Sequence, residues 1–201
     1  MITLYGSGPS RWVRPYWTLQ ELGVPFETKR VSIMKGENRS PEFLAINPFG
    51  KLPALVDDTF TLVESAAICM YLADKYPEKG LAPAVGTQDR ALHDQWVSFA
   101  ISELEQPLWR ITRHRYAYPE AKRSPADMEL AREDFHATAR TFEPLVKKDH
   151  LVADRFTVAD IMVAYTLKWA SMFDLLGEHP GLKAYMDKHL ARPAFPTQLY
   201  G

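Results

Sequence analysis

Hydrophobic and polar positions alternate with different periods in the two parts of the chain. Before residue 78, short apolar runs bounded by turn residues alternate with segments in which apolar side chains recur every three or four positions. Short apolar runs are typical of buried strands, and the three-to-four spacing is typical of amphipathic helices. We therefore expect the first part of the chain to form a small α/β layer.

Seven elements are predicted in this first part, in the order β-α-β-α-β-β-α. The strands are predicted at 2–5, 26–31, 54–56 and 60–63, and the helices at 11–22, from 41 onward, and at 65–75. Ser10 and Ser40 stand where N-caps are expected, and Gly23 stands where the first helix should end. Asp57 and Asp58 are predicted to form the turn of a β-hairpin.

Two prolines and two glycines fall within residues 77–86, a density that breaks any regular element. We therefore expect a domain at 1–77, a linker at 78–86 and a second domain at 87–201. Beyond the linker, strand patterns disappear. Helices are predicted at 87–116, 126–148, 157–169 and 180–190. The second domain is thus expected to be an all-helical bundle.

Charge and composition exclude several classes of function. The 201 residues carry 24 basic and 25 acidic side chains, a net charge of −1, which argues against binding to nucleic acid. No apolar run is long enough to cross a membrane, and the first residues lack the features of a signal peptide. One cysteine and no metal-ligand spacing among the histidines argue against a metal site. A cytoplasmic protein is expected.

The Leu52-Pro53 pair directly precedes a predicted strand. Proline cannot donate to a sheet ladder, and a cis bond here would turn the Leu52 backbone outward. The N–H and C=O of Leu52 would then be open to an extended peptide that pairs as an added strand. The alternative is a structural turn proline, because only about 5–6% of X–Pro bonds are cis.

Glu64 and Ser65 stand where the last strand enters a helix. The unpaired N–H groups at a helix N-terminus bind carboxylates, and the Ser65 hydroxyl adds another donor. The Glu64 carboxylate is suited to an ammonium group. Together the two residues fit the head group of an α-amino acid, although an isolated Glu-Ser pair would ordinarily be only a helix start.

The motifs in this region resemble the glutathione transferase superfamily, and the resemblance covers the whole chain. Pro-Glu-Phe at 41–43, Asn-Pro at 47–48, Leu-Pro-Ala-Leu at 52–55 and Glu-Ser-Ala-Ala-Ile at 64–68 stand in the family's order and spacing. The resemblance implies a thioredoxin-like N-terminal domain and an all-helical C-terminal domain. It also implies a homodimeric detoxification enzyme that uses glutathione as co-substrate and attacks a small electrophile.

The resemblance assigns glutathione contacts to six residues. It places the cysteinyl backbone on Leu52 beside a cis Pro53, and the γ-glutamyl end at Glu64 and Ser65. Lys51 and Arg39 become candidates for the glycyl carboxylate or for neighbouring backbone groups. The alternative for both cations is a solvated surface position.

The turn after the first strand is expected to carry the hydroxyl that activates the glutathione thiol. Ser7 to Arg11 resembles the Ser-x-x-(Cys/Ser)-Arg pattern of the theta-, delta- and zeta-like branches, in which the residue matching Ser7 is the donor. Ser10 is the second candidate, although its role as a helix cap is an alternative. Tyr5 is a third, and it lies within the strand, where packing is the expected role.

A pocket for the electrophile is predicted on the first long helix of the helical domain. Trp109, Thr112, Arg113 and Tyr116 share one face of that helix, because they are three, four and seven positions apart. Trp109 and Tyr116 are suited to an aromatic substrate, and Arg113 to an acidic one. The alternative is that Trp109 belongs to the bundle core and that residues 110–115 form a solvated basic face.

Two residues are predicted to have structural roles. Asp160 is predicted to cap a helix in a capping box with Thr157, and Cys69 is predicted to be a buried, inert thiol.

The resemblance also leaves the reaction and one contact of the dimer open. By loose analogy with relatives, Glu103 or Glu105 would reach the ammonium of the glutathione bound to the neighbouring subunit. Alternatives to conjugation are a glutathione-dependent isomerase, peroxidase or dehalogenase, and a non-catalytic binding or regulatory protein.

Overall fold

The computed structural model describes residues 1–147 and 149–199. The predicted helix end at residue 148 and the last two residues therefore lie outside the described part. The chain forms two compact units, Met1–Ala82 together with the segment from Arg192 onward, and Pro83–Ala191. The segment after residue 191 thus lies with the first unit, whereas the sequence pattern assigned it to the helical domain.

The first unit contains a mixed four-stranded sheet in the order β2-β1-β3-β4. Its strands are β1 (Ile2–Gly6), β2 (Phe26–Arg30), β3 (Ala54–Asp57) and β4 (Phe60–Val63). β1 is parallel to β2 and antiparallel to β3, which pairs with β4 as a hairpin. Because Asp57 pairs with Phe60, the hairpin turn lies at Asp58 and Thr59, one residue later than predicted.

Three helices complete this unit. They are α1 (Val13–Leu22), α2 (Pro41–Ile46) and α3 (Ser65–Lys75). The bounds of α3 are those predicted. Ser40 caps α2 by accepting the Phe43 N–H, as expected. Ser10 does not cap α1, because that helix begins two residues later than predicted and Trp12 occupies the cap position.

The core of the first unit lies where α1 and α3 pack together and against the sheet. Leu4, Leu55, Trp17, Ile68 and Leu72 are fully buried there. The buried face of α3 follows the apolar spacing of the sequence, whereas that of α1 also includes Arg14 and Thr18. The sheet and these two helices thus share one buried core, and the loops at the end of the sheet start from it.

The second unit is helical. Its α-helices are α4 (Gln88–Phe99), α5 (Glu105–Thr112), α6 (Pro125–Phe142), α7 (Val158–Ser171) and α8 (Pro180–Leu190). The single helix predicted over 87–116 is interrupted by a π-helical turn at Ala100–Leu104, and a second follows at Arg113–Ala117. Pro107 accounts for the first, because it has no N–H to donate and its ring clashes with the carbonyl four residues earlier.

Helix α7 lies in the centre of the helical unit, and eleven of its residues are buried. Its predicted capping box is present: Asp160 accepts the Thr157 N–H at 2.8 Å and the Thr157 hydroxyl at 3.0 Å. The same carboxylate accepts the Leu151 N–H at 3.0 Å and the Tyr185 hydroxyl at 2.6 Å. Asp160 therefore joins α7, α8 and the preceding loop. Within the residues that are described, no helix is long and apolar enough to span a membrane.

Candidate functional site

The strand register brings three of the predicted segments to one end of the sheet. Tyr5 near the end of β1 pairs with Ala54 at the start of β3, and Ala54 pairs with Val63 at the end of β4. Ser7 follows that end of β1, Pro53 precedes β3, and Glu64 follows β4. Residues that are distant in sequence are therefore neighbours at this edge.

The Leu52-Pro53 peptide bond is cis, as predicted. Pro53 is buried, and the half-buried Leu52 side chain packs on a small cluster of Val31, Phe43 and Ala54. Among the described residues, no hydrogen bond uses the N–H or the carbonyl of Leu52. The side chain is thus anchored while the main chain retains one donor and one acceptor.

Two buried asparagines hold the loop that leads to Leu52. Asn38 Nδ2 donates to the Gly50 carbonyl at 2.7 Å, and Asn47 Nδ2 donates to the Lys51 carbonyl at 2.7 Å. Asn47 Oδ1 also accepts the Phe49 N–H at 3.1 Å. Asn47 belongs to the Asn-Pro motif at 47–48, but this role could not be predicted, because side-chain hydrogen bonds to a loop have no sequence periodicity.

Arg39 and Lys51 both lie at this loop and are exposed. Arg39 Nη1 donates to the Phe49 carbonyl at 3.3 Å. Gly50 lies directly beneath that guanidinium with a φ of +60°, and an added Cβ would come 2.7 Å from Arg39 Nη1. Arg39 thus supports the loop. The glutathione contacts of Arg39 and Lys51 stay predictions.

The start of α3 combines a strained residue with a buried hydroxyl. Glu64 is exposed and adopts φ 71° and ψ 118°, a conformation that is costly for a residue other than glycine and is often found at functional sites. Ser65 is only 5% exposed. The N–H groups of the first turn of α3 point toward the same end of the sheet.

Arg14 is a residue that the sequence analysis missed. It lies on α1 with 1% of its surface exposed, and its Nη1 donates to Ser65 Oγ at 3.4 Å. Because the serine oxygen accepts this bond, the serine hydrogen is available for a different acceptor. Its burial could not be predicted, because Arg14 does not share a helix face with the apolar positions Trp12, Tyr16 and Leu19.

The two candidate serines both donate to main-chain carbonyls. Ser7 Oγ donates to the Val31 carbonyl at 2.7 Å, whereas Ser10 Oγ donates to the Ser7 carbonyl at 3.1 Å. Ser10 Oγ also accepts the Trp12 N–H at 3.3 Å. Both side chains are half-buried. The Ser7 bond has the length of a strong O–H···O hydrogen bond, and the Ser10 bond is longer.

Tyr5 and Cys69 have the packing roles that were expected of them. The Tyr5 ring lies 6.4 Å from the ring of Phe43, and the Lys29 ammonium lies 5.5 Å from the centre of the tyrosine ring. Cys69 is fully buried on α3. Burial raises the pKa of the Cys69 thiol to about 12, so the thiol stays protonated and unreactive near neutral pH.

In the helical unit, the predicted pocket residues occupy the end of α5 and the π-helical turn after it. The Trp109 ring lies 6.4 Å from the Trp169 ring. The Arg113 guanidinium lies 4.7 Å from the centre of the Tyr118 ring, and Tyr116 is 65% exposed. These contacts are within the helical unit. A pocket for an electrophile at this position stays a prediction.

The two glutamates of the first long helix have different surroundings. Glu103 is exposed and lines a cavity of about 320 Å³ in the helical unit, together with Trp96, Phe99 and Phe142. Glu105 is 4% exposed. Of the two residues, Glu103 is therefore the one that a neighbouring molecule can approach.

One group of potential metal ligands is brought together by the fold. The ligand atoms of His150, Asp160 and His189 all lie within 4.8 Å of one another, a proximity that sequence spacing does not reveal. The Asp160 carboxylate already accepts four hydrogen bonds. A metal would have to displace some of these bonds, so the geometry supports a structural role for Asp160.

Comparison with known proteins gives matches over both units. The family model described as "Glutathione S-transferase, N-terminal domain" matches residues 1–74, and the model of the C-terminal domain matches residues 87–193. Glutathione S-transferase F10 of Arabidopsis thaliana is 32% identical, over 97% of this chain and 94% of its own length. Glutathione S-transferases F9 and F13 of the same plant are also similar. These names belong to the plant F series, so the theta-, delta- or zeta-like subclass is not confirmed.

Solved structures of glutathione transferases are also similar to this chain over nearly its whole length. The glutathione transferase URE2P6 of Phanerochaete chrysosporium, in complex with oxidized glutathione, has a TM-score of 0.87 and 28% identity, covering 99% of this chain and 94% of that one. A sphingomonad glutathione S-transferase complexed with glutathione has a TM-score of 0.85 and 30% identity, covering 98% and 97%.

Proposed function

The chain belongs to the glutathione S-transferase family, and we propose that it binds glutathione along Leu52 and activates the glutathione thiol for attack on a small electrophile in the cytoplasm. The observation that carries this proposal is the main chain of Leu52, whose N–H and C=O are unused among the described residues. An extended tripeptide can pair with both groups as an added strand.

The γ-glutamyl end of the tripeptide is assigned to Glu64 and Ser65. Both residues follow β4 at the same end of the sheet as Leu52. The N-terminus of α3 and the Ser65 hydroxyl suit a carboxylate, and the exposed Glu64 carboxylate suits the ammonium group. Arg39 and Lys51, which lie beside the loop, are proposed for the glycyl end.

Activation of the thiol requires an oriented donor near the sulfur. A free thiol has a pKa of about 8.5, so only a small fraction is thiolate near neutral pH. Lowering that pKa by about two units needs about 2.7 kcal/mol of preferential stabilisation of the thiolate. One hydrogen bond to a charged group contributes about 1.5–3 kcal/mol, so a single hydroxyl at a helix N-terminus is of the right size.

Of the two candidate hydroxyls, we assign the activating role to Ser10. Its bond to the Ser7 carbonyl is 3.1 Å long, whereas Ser7 donates to Val31 at 2.7 Å. Turning the Ser10 hydrogen toward a thiolate therefore sacrifices a weaker bond. The Trp12 N–H that Ser10 accepts polarises the hydroxyl in the direction that strengthens its donation.

A binding protein without turnover is the second candidate function. It is favoured by one observation, namely that both serine hydroxyls are directed at main-chain carbonyls. Such a protein would bind glutathione and leave the thiol pKa unchanged. No described feature favours an isomerase, peroxidase or dehalogenase over conjugation.

Binding is tested by calorimetry with S-methylglutathione, which has no thiol and reports the tripeptide site alone. Ser65→Ala is expected to weaken binding roughly tenfold, because one hydrogen bond to a charged carboxylate is lost. Ser102→Ala is the matched control, since this serine is exposed and donates to the Ser98 carbonyl four residues earlier. Absence of binding heat with the unmodified protein would refute the proposal.

We also propose that the protein forms a homodimer. The helical unit has an apolar cavity that is lined by Trp96, Phe99 and Leu145, with Leu145 56% exposed. Phe49, at the tip of the loop in the other unit, is 64% exposed. These apolar surfaces support association with a second copy. Sedimentation velocity measures it directly, and a monomer at all accessible concentrations would contradict it.

A further inference from the structure

Two histidines from separate segments of the helical unit contact each other directly. His136 lies on α6 and is half-buried, whereas His179 directly precedes α8 and is 1% exposed. His136 Nδ1 and His179 Nε2 are 2.9 Å apart, which is a hydrogen-bond distance. Among the described residues, neither ring forms another hydrogen bond. The start of α8 is thus joined to α6 by one hydrogen bond between two titratable groups.

The Glu143 carboxylate holds the start of α8 next to this pair. Its Oε1 accepts the Gly181 N–H at 2.5 Å and the Leu182 N–H at 3.4 Å, a capping role that the His179 side chain does not provide. Gly181 permits the close approach, because an added Cβ would come 2.8 Å from the same oxygen. The other oxygen, Oε2, lies 3.5 Å from His179 Nδ1. One carboxylate therefore faces both the helix start and an imidazole.

These surroundings determine which nitrogen of each ring carries hydrogen. A neutral imidazole has one N–H and one acceptor nitrogen, and the partner of one nitrogen fixes the state of the other. Because a carboxylate faces His179 Nδ1, that nitrogen carries the hydrogen and His179 Nε2 is the acceptor. His136 Nδ1 must then be the donor of the bond between the rings. The outer nitrogen, His136 Nε2, is left as the position for an added proton.

The contact between the rings limits the pair to one positive charge. A first proton can be added at His136 Nε2 without breaking the bond to His179. A second proton would be added at His179 Nε2, and two N–H groups would then face each other at 2.9 Å. Once the contact is open, each imidazole can bind its own proton with an ordinary pKa of about 6.5. Below that pH the open state therefore binds more protons than the closed state, and closure weakens.

The charged groups around the pair act mainly in the same direction. Burial and then the charge of the neighbouring imidazole lower the pKa of His136, and Arg140 and Arg132 lower it further, whereas Glu178 raises it. Among the described carboxylates, only that of Glu143 pairs with either ring, so α7, which packs against α8, contributes none. A histidine with a lowered folded pKa contributes stability that is complete above about pH 6.5 and is lost as the pH falls toward the folded value.

We propose that His136 and His179 form an acid-sensitive contact, the histidine latch, which holds the first turn of α8 to α6 and opens when a second proton enters the pair. Opening frees the Gly181 and Leu182 N–H groups that Glu143 holds while the latch is closed. The latch is a property of the helical unit alone and does not depend on the proposed transferase function.

NMR spectra that resolve the imidazole nitrogens of the full chain test the proton count directly. At pH 7.5 the His179 ring is expected to be neutral with its hydrogen on Nδ1, and it is expected to stay neutral in the folded protein at pH 5. If both rings became cationic while the first turn of α8 kept its protection from hydrogen exchange, the proposal would be overturned.

Amide hydrogen exchange measures the opening of the latch. After correction for the intrinsic exchange rate, the Gly181 and Leu182 amides are expected to exchange about thirtyfold faster at pH 5 than at pH 7.5. One excess proton in the open state shifts the opening equilibrium about tenfold for each pH unit below about 6.5. The Leu72 amide in the buried part of α3 is the internal reference. Protection of α8 that changes no more than that of Leu72 would contradict the latch.

His136→Gln separates the latch from other effects of acid. A glutamine amide has a donor and an acceptor, so it can pair with His179 in either protonation state, and the thirtyfold change is expected to disappear. His114→Gln is the matched control, because His114 pairs with the Asp127 carboxylate at 2.8 Å, and it is expected to retain the full change. Equal pH dependence in His136→Gln and the unmodified protein would overturn the proposal. If His136→Gln does not fold, the ring spectra and amide exchange of the unmodified protein decide.

Discussion

Gly6 lies where β1 meets the turn that carries both candidate serines. An added Cβ at this position would come 2.1 Å from Trp12 Cδ1 and 2.5 Å from Cγ, and the indole is itself buried. The close approach allows the indole of Trp12 to cover the end of the strand. The position of the serine turn therefore depends on the absence of a side chain at Gly6.

Gly6→Ala is predicted to lower the free energy of unfolding by about 1–3 kcal/mol, the usual cost of an overpacked core position. Urea unfolding followed by tryptophan fluorescence measures the change. Gly177→Ala is the control, because an added Cβ there meets nothing within 4 Å. A Gly6→Ala protein as stable as the control would show that the indole moves without cost.

The sequence predicted the structural roles of single residues better than the partners of their side-chain hydrogen bonds. The cap at Ser40 and the burial of Cys69 followed from residue type and position, whereas the cis peptide at Pro53 was implied by the family resemblance. The partners of Ser7 and of Arg14 could not be predicted, because Val31 and Ser65 are brought to them by tertiary structure. A pattern of hydroxyl residues indicates a donor without specifying its acceptor.

At the scale of elements, Asp160 at the start of α7 connects several segments of the helical unit. Asp160 is fully buried and accepts its four hydrogen bonds from three different segments. Burial, together with the neighbouring Asp160 carboxylate, raises the pKa of the Tyr185 hydroxyl well above its usual value. The hydroxyl therefore remains protonated near neutral pH and donates to Asp160.

Asp160→Ala is predicted to destabilise the protein by more than the roughly 1–2 kcal/mol of a lost N-cap, since the Tyr185 and Leu151 donors also lose their acceptor. Thermal unfolding followed by far-ultraviolet circular dichroism measures this loss. Asp187→Ala, which removes an exposed carboxylate that pairs with Lys183 one turn away, is expected to change stability by less than about 0.5 kcal/mol. Similar losses in the two variants would contradict the account.

The contact between β3 and α3 gives a pH-dependent prediction. Burial raises the pKa of Asp57, but hydrogen bonds from Lys75 and from the Tyr71 hydroxyl outweigh burial and leave that pKa below its usual value. The stability that this carboxylate contributes is present above its unfolded pKa of about 3.9 and is lost as the pH falls through the lower folded value.

Asp57→Asn is therefore predicted to reduce stability near neutral pH and to have a smaller effect as the pH falls below about 4. Urea unfolding midpoints measured across the acid range test this. Asp174→Asn is the control, at an exposed turn position. A difference between the Asp57→Asn variant and the unmodified protein that stays constant with pH would exclude the assigned ion pair.

Element positions were predicted best where apolar spacing and capping residues agreed. The bounds of α3 and α8 match the predicted ranges, and those of β4 do as well. The division of the predicted helix over 87–116 was missed, because the apolar spacing continues through both π-helical turns. Pro107 was the available signal, and a proline within a long helical pattern indicates an interruption.

At the scale of the whole molecule, the chain returns to its first unit after α8. Arg192 Nε and Nη2 donate to the two carboxylate oxygens of Glu21 at 2.6 and 2.8 Å. The Phe195 ring packs edge-on against Trp17 at 5.0 Å. The sequence pattern did not predict this return, because it consists of single contacts between residues about 170 positions apart.

The proposed activity requires that the site at the end of the sheet binds glutathione with its sulfur as thiolate. The direct measurement is a pH titration of the thiolate absorbance of glutathione bound to the protein, compared with the Ser10→Ala and Ser7→Ala variants. The account predicts a bound thiol pKa about two units below the free value of about 8.5, with most of the shift lost in Ser10→Ala. A bound thiol that titrates like free glutathione in the unmodified protein would contradict it.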